Sequence, residues 1–206
     1  LATSGMQAEG LQLRKVLDSR LTWYEHMHSK TMSTPAIAQL LSNTLYFKRF
    51  FPYYTFNVLA GIDGNGMLLF LCHFEVLPPL TCIVRWVSKG AVFGYDAVGS
   101  FERIPYGVTG SGSALITSIL DNQVGKISHV RIVVATFMFG VHRLQVAFLT
   151  QPKNKRDLTL EETVALIKDC FTVCGERDIY TGDSVDIVVM TAAGEYRTES
   201  FPLKKD

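Results

Sequence analysis

Net charge is almost absent from this sequence: 20 Lys and Arg against 19 Asp and Glu leave +1 over 206 residues. With no basic stripe there is no electrostatic footprint for nucleic acid, because phosphate neutralisation dominates such binding. Cysteine is scarce too, with four residues at positions 72, 82, 170 and 174. None forms a CxxC pair and no histidine pair completes a tetrahedral ligand set, so no metal is expected. His26 and His28 are two apart on a helical pattern and diverge. Cys170 and Cys174 are four apart, share a helix face, and read as small buried apolar residues of a reducing compartment. No clean run of ~20 apolar residues occurs. The two most apolar stretches, 67–88 and 127–152, are broken by Glu75, Pro78, Pro79 and Arg85 and by Arg131, His142 and Arg143. A membrane partner is therefore not expected. The opening LATSGMQAEG lacks the basic and apolar regions of a signal peptide. The glycine-rich Gly107–Ser113 could hold an anion at a helix start, but it lacks the Gly-Lys-Ser/Thr ending of a P-loop and reads as a tight turn, and no cofactor is expected.

What is present is an alternation of amphipathic helices and β-branched strands, at a length that suits one domain over residues 1–206. Met6–His28 carries a helical stripe of Leu13, Val16, Leu17, Leu21, Tyr24 and His28. Ser33-Thr34-Pro35 predicts a helix start, with a hydroxyl N-cap before a first-turn proline. Arg49-Phe50-Phe51-Pro52 ends that helix, and Tyr54–Asp63 alternates as a strand before the turn Gly64-Asn65-Gly66. A hairpin is expected from Ala91–Tyr95 and Phe101–Tyr106, and a helix over Ala114–Asn122. Thr159-Leu160-Glu161-Glu162 is a capping box that opens a helix running to Gly175. A polar loop follows, with Arg177, Asp178, Tyr180, Thr181, Gly182 and Asp183, and then strands over Val185–Thr191 and Tyr196–Phe201. Periodicity alone gives the class α+β.

Two segments carry a resemblance. The loop Arg177-Asp178-x-Tyr180-Thr181-Gly182-Asp183 resembles the helix–strand junction of proteasome beta subunits. STPAIAQLLSNTLYFKRFFPYYTFNVLAGID, from Ser33, is similar to the second helix and following strand of the kind called beta type-1, and KGAVFGYDAVGSFER, from Lys89, continues it. The likeness runs over 1–66, 89–125 and 157–206. Residues 67–88 and 127–152 stand outside it as atypical insertions, read as translated non-coding sequence or as lineage-specific additions, with extra strands foreseen around Val130–Phe139.

The resemblance implies the N-terminal-nucleophile hydrolase fold, a four-layer alpha-beta-beta-alpha sandwich. Its catalytic members use an N-terminal threonine whose own amine serves as base, assisted by an aspartate and a lysine on the first strands. The chain reads as starting beyond those strands, so it is expected to lack them, to expose sheet edges, and to hold no catalytic residue. Asp178 and Thr181 match the family positions that support the nucleophile, and Ser111 is the nearest match to a third. The resemblance gives them a structural role in fixing the loop. It further implies a non-catalytic place at the sixth position of the beta ring of the 20S particle in cytoplasm and nucleus. The implied partners are neighbouring beta subunits, the opposite beta ring and the alpha ring. Two other readings stay open: a threonine peptidase subunit whose nucleophile is missing from this chain, and a stand-alone α+β protein.

Overall fold

The computed structural model describes residues 1–63, 89–104, 106–124, 132–137, 145–149, 160–190 and 196–203. The first half builds one sheet and two helices. Strand β1 (Ala2–Gly5) leads into helix α1 (Gln7–His28), which Ser29 ends in the left-handed conformation (φ 51°). Leu13 and Leu17 of the expected stripe are buried, Val16, Leu21 and Tyr24 are half-buried, and His28 is exposed. Helix α2 spans Thr34–Phe47. Its start differs from expectation: Ser33 makes no side-chain cap. Asp63 replaces it, accepting from the Thr34 N–H at 2.8 Å and the Thr34 hydroxyl at 2.6 Å. A carboxylate suits a helix N-terminus better than a neutral hydroxyl does, because it meets both the free N–H groups and the positive end of the dipole.

Strands β2 (Thr55–Asp63), β3 (Lys89–Tyr95) and β4 (Phe101–Ile104) complete an antiparallel sheet in the order β1-β2-β3-β4. Ala2 is level with Val58, and Val58 with Gly94. The β3–β4 turn is fastened to α2. The Ser42 hydroxyl donates to the Gly99 carbonyl at 2.6 Å, and Gly99 has φ +91° with no room for a Cβ, which would lie 2.5 Å from the Ser42 oxygen. The strand expected over Phe101–Tyr106 is in fact two. One, β4, ends at Ile104, and the other, β5 (Tyr106–Thr109), belongs to the other sheet; the residue between them in the sequence is a proline, which has no N–H to offer a ladder. The expected turn at Gly107–Ser113 is thus partly strand, and helix α3 covers Ser113–Val124.

The second sheet runs β5-β7-β6-β8-β9, with β6 (Ile132–Phe137), β7 (Gln145–Leu149), β8 (Ser184–Met190) and β9 (Tyr196–Pro202), all antiparallel. The strand foreseen near 130–139 is β6. Together with β7 it fills the middle of this sheet, which the sequence reading left open: β6 pairs on one side with β7 and on the other with β8. Residues 67–88 and the remainder of 127–152 lie outside the described residues, as do Thr159 of the capping box and the turn at 193–194. Helix α4 spans Leu160–Arg177.

Layers follow from which faces are apolar. Leu13, Leu17, Leu41, Leu45 and Tyr53 bind α1 to α2, and Ala38, Leu59, Ala91 and Phe93 bind α2 to the first sheet. Ala2, Val58 and Val92, with Ile104 and Met190, join the two sheets. Ile116, Leu120, Ile167, Phe171, Cys174, Val185 and Ile187 pack α3 and α4 on the second sheet. The result is helix, sheet, sheet, helix.

Cys170 and Cys174 are buried in that last cluster. Burial, helped by the Asp169 charge, pushes the Cys170 thiol up to about 11; burial, helped by Asp178, pushes Cys174 up to about 12. A raised acid pKa stabilises the fold below the unfolded value and withdraws that stability as pH rises through the folded one. Stability should therefore fall above about pH 9. At pH 8 both thiols should resist alkylation in the native protein and react on denaturation, which mass spectrometry after iodoacetamide pulses would read; rapid native labelling at either site would contradict the packing.

Candidate functional site

The C-terminal end of α4, the turn before α3 and the start of β8 meet at one carboxylate. The Asp178 N–H still bonds helically to the Cys174 carbonyl at 2.7 Å, so the residue is held at the helix end while its side chain turns back over the loop. Asp178 Oδ1 accepts the Tyr180 N–H at 3.2 Å, and Oδ2 accepts the Thr181 hydroxyl at 2.8 Å. The Thr181 N–H returns to the Asp178 carbonyl at 3.1 Å. This is the local side-chain-to-backbone bonding that short polar residues favour at turns. Across 67 residues of sequence, the Ser111 hydroxyl also donates to Asp178 Oδ2, at 2.6 Å. The structure thus brings Ser111, Asp178 and Thr181 together. Thr181 is buried, Asp178 half-buried and Ser111 exposed.

Two backbone features aim the loops. Gly110 has φ +115°, and the turn it begins lets Gly112 accept the N–H groups of Leu115 and Ile116 at the head of α3. Asp183, left-handed at φ 59°, turns the chain into β8, where its carbonyl takes the Leu203 N–H at 2.8 Å. Left-handed geometry is tolerated by aspartate better than by most non-glycine residues.

Beside this cluster, a cavity of about 520 Å³ opens between the sheets, with Ser4, Gly5, Phe56, Val108, Thr109 and Ser111 among its lining residues. The buried hydroxyls of Ser4 and Thr109 bond to each other across the inter-sheet gap. Gly107 allows the close approach, since a Cβ there would lie 2.8 Å from Val58. Ser4 and Thr109 escaped the sequence reading. Alternation could have placed each on an inward face, but only the fold sets β1 opposite β5.

Chemically, the cluster is an acceptor surrounded by donors. The hydroxyl of Ser111 donates to the Asp178 carboxylate, a bond that ties the turn before α3 to the loop after α4. Among the described residues, no group of three or more His, Cys, Asp or Glu could hold a metal ion, and no helix is long and apolar enough to cross a membrane. Loss of the Asp178 carboxylate strands two hydroxyls and an amide. Asp178→Ala should cost about 1–3 kcal/mol, with faster amide exchange at Tyr180 and Thr181. Urea unfolding together with hydrogen exchange would check this, and an unchanged midpoint would show that the carboxylate does not hold the loop.

Comparison with known proteins agrees with this architecture. The family model described as proteasome subunit matches residues 1–74. Proteasome subunit beta type-1 of Arabidopsis thaliana is 44% identical over 206 residues, covering all of this chain and 74% of that protein. Its counterpart in Dictyostelium discoideum is likewise 44% identical, over all of this chain and 69% of its own length. The Drosophila melanogaster protein of the same name is 36% identical over 96% of this chain and 67% of its own. The chain belongs to the proteasome beta-subunit family, within which it falls with the beta type-1 subunits.

Proposed function

We propose that this chain serves as a non-catalytic wall segment of the beta ring of the 20S proteasome core, in cytoplasm and nucleus. It would bind its ring neighbours, the alpha ring and the opposite beta ring. The observation that carries the non-catalytic part is the state of Asp178. Its carboxylate is engaged by the Ser111 and Thr181 hydroxyls and the Tyr180 amide, an arrangement that fixes a loop. Family membership and likeness to beta type-1 subunits along the whole chain support the ring position.

The test uses core particles isolated through a tag on this chain. They should contain the chain together with other beta and alpha subunits, and a peptide epoxyketone that modifies N-terminal threonines should label other subunits and leave this one unlabelled. Labelling of this chain would overturn the non-catalytic reading. Migration of the tagged chain as a small monomer would overturn the assembly itself.

A further inference from the structure

The corner between α2 and β2 exposes a run of aromatic side chains. Phe47, Phe50 and Phe51 are 85%, 88% and 88% exposed, and Tyr46, Tyr54 and Phe56 in the same eleven-residue segment are exposed as well. Aromatic side chains each offer about 150–250 Å² of contact area. The three phenylalanines alone, each more than four-fifths uncovered, match the few hundred Å² of the largest apolar patch usual on a monomer. The segment is held in shape and not merely left loose. Lys48 and Arg49 N–H groups close the end of α2 on Leu45 and Tyr46, and the Phe51 N–H returns to Lys48 at 3.0 Å. Buried Tyr53 anchors the turn beneath, with the Lys48 ammonium 4.4 Å from its ring centre. Tyr54 and Phe56 stand edge to face, ring centres 5.9 Å apart. Rigid aromatic anchors of this kind are what interface hot spots are made of.

Charge narrows the partner. The charged side chains within the segment, Lys48 and Arg49, are both cationic, and Arg49 lies along the Tyr46 ring with Nη1 donating to its hydroxyl at 3.2 Å. Glu9, the neighbouring carboxylate, is occupied by the Tyr54 N–H at 2.5 Å. A second copy docked face to face would set cation against cation. We infer that Tyr46–Phe56 is a docking surface for a different subunit of the particle, one that offers an apolar groove for Phe47, Phe50 and Phe51 with carboxylates at its rim to meet Lys48 and Arg49. This rests on the ring-subunit reading above and specifies where one of the contacts is made.

The full chain, tagged and co-expressed with the remaining subunits, is compared with F50S/F51S and with Arg49→Glu by native electrophoresis and quantitative mass spectrometry of the particle band. The exposed serines should leave the melting temperature unchanged and lower incorporation about tenfold or more; R49E should lower it in a salt-dependent manner. Normal incorporation of both variants overturns the docking surface while leaving ring membership intact. Absence of the unmodified chain from the particle overturns both. A photo-cross-linking benzoylphenylalanine at position 51 should join the chain to a single alpha or beta subunit at an acidic segment. Adducts only between copies of this chain, or co-sedimentation of the chain with anionic phosphatidylserine vesicles and no subunit adduct, would assign the surface elsewhere.

Discussion

Val134→Pro is expected to abolish cooperative folding. Val134 lies mid-way along β6, level with Ala147 of β7 and Val188 of β8. Whichever neighbour receives its N–H, proline deletes that bond, leaves a carbonyl unmatched and forces φ near −65° within a central strand. Backbone disruption costs about 3 kcal/mol or more, and an unsatisfied buried acceptor about 1–3 kcal/mol further. Against a total stability of about 5–15 kcal/mol, a loss of that size or more takes most or all of the stability at the lower end of the range. The sheet also has no alternative pairing, because β5 joins β8 and β9 only through β7 and β6. Pro202 makes the contrast within the same sheet: it stands at the end of edge strand β9, paired with β8 on one side only. Circular dichroism melting and amide protection of β8 would decide. A variant that melts within a few degrees of the parent would show that 132–149 contributes nothing to the sheet's centre.

The second large effect is Phe171→Ala. Phe171 is fully buried and sits in the cluster that joins α3, α4 and β8 with Ile116, Leu120, Ile167, Cys174, Val185 and Ile187. Emptying a phenylalanine site in a close-packed core costs about 3–5 kcal/mol from lost transfer energy and the residual cavity. For a chain of this length the melting temperature should fall by roughly 6–20 °C. Phe171→Leu should recover most of it, because a cavity of smaller volume remains. Equal melting temperatures for the alanine and parent proteins would mean that this side chain is not the centre of that layer. Asp178 follows one turn beyond Cys174, so the alanine variant should also loosen the contact between Ser111 and Asp178.

Local rules made the helices readable. Leu13 and Leu17 of α1, and Leu41 and Leu45 of α2, follow the 3.6-residue period, and they are the residues buried where those helices meet. The β-branched run from Val185 likewise read as a strand, and the structure adds that Val185, Ile187 and Val189 share its buried face. Contacts between distant residues were not readable. The carboxylate that caps α2 comes from Asp63, 29 residues away, so a nearer hydroxyl at Ser33 looked sufficient. The change of sheet at position 105 depends on which ladder each half finds, although the proline there is the signal that could have divided the strand. The candidate site splits along the same line. Asp178 and Thr181 are three apart and bond as any local turn does. Ser111 joins them only because α3 and α4 lie side by side, and its place came from resemblance to a family.

The division of the sheets at position 105 has a consequence for synthesis. Every strand of the first sheet lies within residues 2–104, and every strand of the second within 106–202. A ribosome adding about 5–20 residues per second spends roughly 5–20 s on the second hundred residues. Throughout that interval the emerged half can pair β1 to β4 and seat α1 and α2, while the other face of its sheet, with Ala2, Val58 and Val92, has nothing to lie against. The nascent chain therefore passes through a stage with one finished side and one bare apolar side. That bare side stays uncovered until the strands of residues 106–202 have been made and lie down on it.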